Sequence, residues 1–260
     1  MRKTLLIFAL MLAPLVSGAQ SVSDPESDFG ARFSFTADYK IIKGLHVAAS
    51  TEVRFVDTFS TFGRVDAGIG LSYKINNTFK LGGGYLFIDK LGSSGAWNPR
   101  HRFYLDGTAT LRAGDWRFAL KEKIQLTHRD YNNLYEHNPN SLELKSRIKV
   151  SYKGLGEWVP YTAVELRNVF NDPTCSATLN NGKYTDYNFT GYNDMYLNRI
   201  RGTLGAEWEI SKAHAIDFYL LGEYCYDKVL DVDKDGPTLK SLTYSQTFNA
   251  ALCVGYKFSF

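Results

Sequence analysis

The sequence ends Thr247-Phe248-Asn249-Ala250-Ala251-Leu252-Cys253-Val254-Gly255-Tyr256-Lys257-Phe258-Ser259-Phe260. Its even positions are apolar: Phe248, Ala250, Leu252, Val254, Tyr256, Phe258 and Phe260. Its odd positions are polar or small, from Thr247 to Ser259. Alternation with a period of two places one set of side chains on each face of a β-strand. A membrane-crossing strand takes about 9–11 residues at its usual tilt, and this run is long enough. Phe258 and Phe260 at a chain end also call for an apolar cover. The stretch reads as the closing strand of a transmembrane β-barrel.

Working outward, residues 1–19 read as a Sec signal peptide: a basic start (Arg2, Lys3), an apolar middle and small residues before Gln20. Residues 20–260 then form the barrel domain. No later stretch of about 20 apolar residues offers a spanning helix, and the mean hydropathy is slightly negative. That balance suits strands with one apolar and one polar face. The three cysteines (Cys175, Cys225, Cys253) have no metal or disulfide spacing. A net charge of +3 argues for no nucleic-acid partner.

Eleven alternating segments can be marked, at 31–40, 45–56, 64–74, 78–88, 100–112, 115–129, 141–152, 158–170, 195–210, 215–227 and 244–260. Short connections alternate with long ones, the long set being 57–63, 89–99, 130–140, 171–194 and 228–243. Outer-membrane barrels have short periplasmic turns and long extracellular loops, which sets the expected orientation. On the apolar face Tyr39, Tyr73, Phe79, Trp116, Tyr152, Trp158, Trp208 and Phe260 gather near the short turns. Phe33, Phe55, Tyr85, Phe103, Tyr196, Tyr224 and Phe248 gather at the other end. Two aromatic belts are what a bilayer asks of an outer wall. The expectation is an all-β, antiparallel up-and-down transmembrane barrel of 10–12 strands in the cell outer membrane. Twelve is preferred, because bacterial barrels avoid odd counts; residues 20–29 would supply the extra crossing.

Opposed residues must share a face. Registers chosen from apolar residues set Arg32 opposite Glu52, Asp106 opposite Lys121, Glu143 opposite Arg167, Lys145 opposite Glu165, and Arg199 opposite Asp227. These are the expected lumen charge pairs. Glu122 falls on the apolar face, which suggests a bulge in that strand. Gly68, Gly70, Gly82 and Gly84 form a lumen patch that permits curvature or close approach of another segment. The inward charges lean basic, so an anion-favouring lumen is the alternative to a closed, salt-bridged one.

Evidence for chemistry is thin. His101 and His128 should be neighbours at the rim, yet no serine stands beside either, so no catalytic residue and no enzyme activity are assigned. The stretch 231–236, Asp-Val-Asp-Lys-Asp-Gly, matches the first half of a calcium loop, but Leu242 stands where the bidentate Glu belongs. It reads as a polar loop; no metal site or cofactor is expected. Three functions remain: a closed barrel with a structural or surface-binding role, a small-solute channel, and, on the rim histidines alone, a membrane-embedded lipid hydrolase.

Asp28-Phe29-Gly30, Glu52-Val53-Arg54-Phe55, Leu71-Ser72-Tyr73-Lys74, Gly84-Tyr85, Asn198-Arg199-Ile200-Arg201 and Gly255-Tyr256-Lys257-Phe258 resemble an uncharacterised outer-membrane β-barrel family. It is a domain of unknown function common in Bacteroidetes-type bacteria. The resemblance covers nearly all of 28–260 and implies fold and location, without an activity or catalytic residues. Phe258 and the terminal Phe260 also resemble the signal read by the barrel-assembly machinery. Expected partners are therefore that machinery, outer-membrane lipid and lipopolysaccharide. Replacing Phe260 by a charged residue should impair assembly more than the same change at Ser259. Equal yields of heat-modifiable, folded barrel from the two variants would remove the special role of Phe260.

Overall fold

A computed structural model describes residues 26–260, apart from Ser93 and Gly236. The expected signal peptide and residues 20–25 lie outside the described residues. Eleven strands follow one another: β1 (Glu26–Ile42), β2 (Leu45–Val56), β3 (Thr61–Lys74), β4 (Phe79–Leu91), β5 (Trp97–Ala113), β6 (Trp116–His128), β7 (Asn140–Tyr152), β8 (Trp158–Asn180), β9 (Lys183–Glu209), β10 (His214–Val232) and β11 (Leu239–Ser259). Each pairs antiparallel with the next, and β1 meets β11 to close the barrel.

That closing contact is parallel, running from Glu26↔Thr247 to Asp38↔Ser259. The preference for twelve antiparallel strands is thus corrected to eleven described strands with one parallel seam. Glu26–Phe29 do not form a strand of their own; they begin β1. An odd count leaves first and last strands running the same way, so only a parallel ladder can join them. Phe260 continues the seam, its N–H donating to Asp38 O at 2.9 Å.

Faces follow the alternation seen in the sequence. Outward positions carry large exposed apolar side chains, such as Leu105 (67%), Leu111 (66%) and Leu204 (65%). Aromatic rings touch laterally at both ends of this wall. Near the short turns, Trp158 stacks on Trp208 at 5.6 Å and Trp116 meets Tyr152 at 5.0 Å. At the other end Phe33 contacts Phe55, and Phe55 contacts Phe62.

Tight turns shift the expected registers by two residues. Ile42 pairs with Leu45 across Lys43-Gly44, where Gly44 takes φ +87°; Ala113 pairs with Trp116 across Gly114-Asp115. Two residues in such a turn match the twist of the flanking strands. Away from the bulge that follows Lys40 the shift is even, Tyr39 meeting Val47 instead of Leu45, so faces are kept while partners move. Strands β8 and β9 also run on to Asn180 and Lys183, joined by Asn181-Gly182, both with positive φ. The expected long connection at 171–194 is therefore a β-hairpin with an Asn-Gly turn.

Above the level where β9 and β10 part company (Cys225↔Arg199), the β8–β9 and β10–β11 hairpins pack on each other. Leu230, Val232 and Leu239 are buried there beside Tyr135, Cys175, Tyr184 and Tyr187. Lys228 reaches across, donating to Pro173 O at 2.6 Å and pairing with Asp172 and Asp194. No bulge interrupts β6. Glu122 stays on the outer face, where Ser146 Oγ donates to it at 2.6 Å.

In a variant without native cysteines, Ser34→Cys with Gly255→Cys and Thr36→Cys with Lys257→Cys should each form an intrachain disulfide. A parallel ladder holds both pairs at one offset, whereas an antiparallel seam could bring only one pair together. Cross-linking of a single pair would refute the seam.

Candidate functional site

Inward side chains of the lumen form the chemically dense part of the molecule. On β9 the inward row includes Arg199 and Arg201, and on β10 it includes Glu223; Arg201 lies directly opposite Glu223. Arg199 Nη1 meets Glu223 Oε1 at 2.9 Å, and Arg201 Nε meets Oε2 at 2.9 Å. Arg201 also extends Nη1 to Glu165 Oε1 at 3.1 Å on β8. Glu223 keeps 4% of its side chain exposed, so its charge depends on these two guanidiniums.

A second knot lies on β2 and β3. Arg64 grips Asp66 with two bonds, Nε–Oδ1 at 2.6 Å and Nη2–Oδ2 at 2.7 Å. Arg54 binds Glu52 at 2.6 Å and reaches Asp66 at 3.5 Å. A third joins β6, β7, β8 and β9: Arg167 Nη1 approaches Glu143 Oε1 at 3.5 Å, and Gln125 Nε2 donates to the other carboxylate oxygen. Arg167 Nε donates to Asn198 Oδ1 at 2.6 Å.

Of the expected pairs, Asp106–Lys121 forms at 3.2 Å and Glu143–Arg167 forms as above, both diagonally instead of face to face. Three others are corrected. Arg32 stands opposite Arg54, while Glu52 is held by Arg54. Lys145 stands opposite Arg167, and Glu165 is bound by Arg201 instead. Arg199 pairs with Glu223, leaving Asp227 to accept from Asn198 Nδ2 at 2.6 Å. A two-residue shift underlies all three: it sets Arg32 opposite Arg54 and Lys145 opposite Arg167, and it sets Arg199 opposite Cys225. Lys123, Lys145, Arg167 and Arg199 are successive neighbours across β6 to β9. Acids sit one row above and below, so Arg167 and Arg199 reach Glu143 and Glu223 diagonally, while Arg201 meets Glu165 and Glu223 straight across. Asp66, Gln125, Asn198 and Glu223 were missed; each lies at an inward position within two places of an expected partner.

Gly70 and Gly84 leave room for an inward ring. A Cβ on either would lie 2.6 or 2.7 Å from the Tyr104 hydroxyl. Lys123 Nζ sits 4.0 Å from the centroid of that ring, an arrangement that favours a cation. The glycine patch thus admits a side chain of the barrel itself.

At the rim His101 and His128 are direct cross-strand partners. Tyr85 OH lies 2.7 Å from His101 Nδ1, and Asn140 Oδ1 lies 2.9 Å from His128 Nδ1. Among the described residues neither imidazole is bonded to a serine or cysteine that it could activate. Asp231 lies within β10, and Asp233 sits 3.6 Å from Lys240. At the chain end Phe258 and Phe260 contact each other edge to face at 4.2 Å, and Phe260 also meets Tyr39. The three cysteines are free.

A family model described as "Protein of unknown function (DUF2490)" matches residues 29–231. Among curated proteins none matches. A solved structure similar to this chain is the outer-membrane expressed OmpT of Vibrio cholerae, at 11% identity and a TM-score of 0.32. That match covers 78% of this chain and 61% of the other, so the chain spans about three-fifths of its length.

Removing one partner of a buried ion pair typically costs about 3–5 kcal/mol, against about 0–1 for an exposed pair. Arg201→Ala should therefore destabilise the barrel several-fold more than Lys153→Ala, whose partner Glu209 is 38% exposed. Adding Glu223→Ala to Arg201→Ala should restore part of the loss. A double-mutant cycle on urea unfolding checks this; strict additivity would show the two residues to be uncoupled.

Proposed function

The chain belongs to the DUF2490 family, and we propose that it is an integral outer-membrane β-barrel with a salt-bridged, mostly closed lumen, serving a structural or surface-binding role. The outer wall supports the membrane part of this reading. Contiguous exposed apolar side chains ringed by aromatic contacts need a hydrocarbon solvent. Closure leaves no strand edge to meet lipid unpaired. The short turns then face the periplasm, and the packed hairpins β8–β9 and β10–β11 face outward.

The observation that carries the closed lumen is the Arg199–Glu223–Arg201–Glu165 chain, with Glu223 almost wholly buried. Ion pairs standing in a wide, water-filled pore would keep most of their surface wet. Here three neighbouring strands are tied across the inside of the wall. The outward hairpins supply a rigid surface, since Lys228 and the Leu230–Val232–Leu239 cluster hold them together. This reading gives the chain no reaction to catalyse. The two rim histidines serve as interfacial side chains near lipid headgroups, and lipopolysaccharide and the barrel-assembly machinery are the partners it implies.

Purified protein inserted in a planar bilayer should give no steady conductance above that of the lipid. Trypsin added to intact cells should cut at Lys183 in the outer hairpin turn and spare Lys153 and Lys212 at the short-turn end. A steady, anion-selective pore would overturn the closed reading in favour of a channel.

A further inference from the structure

Toward the long-connection end of the lumen a group of cations from several strands gathers. Arg64 on β3 is the direct partner of Lys90 on β4. Arg100 on β5 stands opposite Ile88, two residues before Lys90. Arg129 follows β6, and Arg199 lies on β9. The charges that act most strongly on Lys90 are those of Arg100, Arg64, Arg199 and Arg129, while Arg100 also feels Glu143 and Asp66 and Arg129 feels Glu143, Asp227 and Asp172.

An independent observation concerns hydrogen bonds. Nε of Arg100 and Nε of Arg199 are buried and meet no acceptor among the described residues. Arg199 spends Nη1 on Glu223, and Arg64 spends two donors on Asp66. Arg129 lies 4.1 Å over the Tyr131 ring. Buried donors normally find partners, and like charges repel strongly where water is scarce. Both costs vanish if an anion with several oxygens sits among these side chains. Guanidinium forks match such oxygens two at a time. A single carboxylate is planar and carries one charge. Five cations arriving from several strands suit a group with oxygens on all sides and more than one charge.

We propose that Arg64, Lys90, Arg100, Arg129 and Arg199 form a binding site for a soluble, multiply charged anion of the phosphate class, entered from the outer mouth of the barrel. The wall formed by β3 to β5 stands between this cluster and the lipid, which keeps lipid phosphates from reaching it sideways. The inference rests on the closed-barrel reading: the anion is held in a pit, not passed through.

The test uses the full mature chain refolded in detergent, with inorganic pyrophosphate as probe and ionic strength held fixed. Calorimetry should show saturable binding. Arg100→Gln should weaken it at least about tenfold. Arg117→Gln, which alters a cation paired with Arg112 at the opposite mouth, should change it by less than about twofold. Arg100→Gln should still run as a heat-modifiable, folded barrel without ligand, so lost binding is not lost fold. No binding by the wild type, or equal weakening by both variants, overturns the site. Micelles of a diphosphorylated lipid should fail to displace pyrophosphate; displacement overturns the soluble source and assigns the same cations to lipid. A bilayer recording separates this inference from the reading beneath it. A silent barrel that ignores pyrophosphate overturns the site alone, whereas an open pore blocked by pyrophosphate overturns the closed lumen and leaves the site standing.

Discussion

Every backbone edge of this sheet has to find a partner, and the last two edges to do so belong to β1 and β11. On the proposed membrane reading, a lipid-facing sheet cannot leave N–H and C=O groups to water, because none is there. Eleven strands then force a parallel join, slightly less stable per residue than an antiparallel one. The chain compensates with side chains along the seam. Phe35 stacks on Tyr256 at 5.8 Å, Tyr39 meets Phe260, and the Phe260 N–H extends the ladder to Asp38. The terminal aromatic residue is thus part of the closure itself.

Inside the wall, charge is arranged by row. Lys123, Lys145, Arg167 and Arg199 stand side by side on four strands, which would be destabilising if each had only its lateral neighbours. Glu143 on one side binds Arg167, and Glu223 on the other binds Arg199. Diagonal pairing of this kind ties each strand to its neighbours at two levels, so sliding a strand would break several ion pairs at once. Glu122 shows the converse. It sits on the outer wall with a lone hydroxyl donor, Ser146, and no cation shares its face there.

Which face most residues take was legible from alternation. Tyr196, expected in the outer belt, is instead carried off that row by the register break after Arg167 and sets its hydroxyl against Asp172 and the Lys228 N–H. The apolar row from Phe248 to Phe260 and the rows of Trp116, Trp158 and Trp208 all lie outside, as period two demands. Pair identity was not legible, since it hangs on turn length. Lys43-Gly44 and Gly114-Asp115 make tighter turns than apolar matching suggested, and each moves its hairpin by two. The Asn181-Gly182 turn was in plain view as a hairpin signal, hidden inside a segment too polar to read as strand. The parallel seam left no local mark, because its partners stand at opposite ends of the chain. Glu223 and Asp66, the best-buried acids of the lumen, were passed over because acids are common at inward positions and only the true register singles them out.

The seam also bears on how the chain reaches its final shape. A hairpin can zip from its turn, since the turn delivers the first pair. Between β1 and β11 there is no turn, and the first contact must close a loop nearly as long as the protein. Such closure costs entropy that grows only with the logarithm of loop length, yet the whole cost falls on that first contact. Non-local pairing of this type is slow. Until it happens, β1 and β11 each expose an unpaired edge, and two such edges from different chains complement each other as well as those of one chain do. The same feature that completes the monomer is therefore its point of greatest vulnerability to strand exchange, and the natural place for an assembly factor to stand guard.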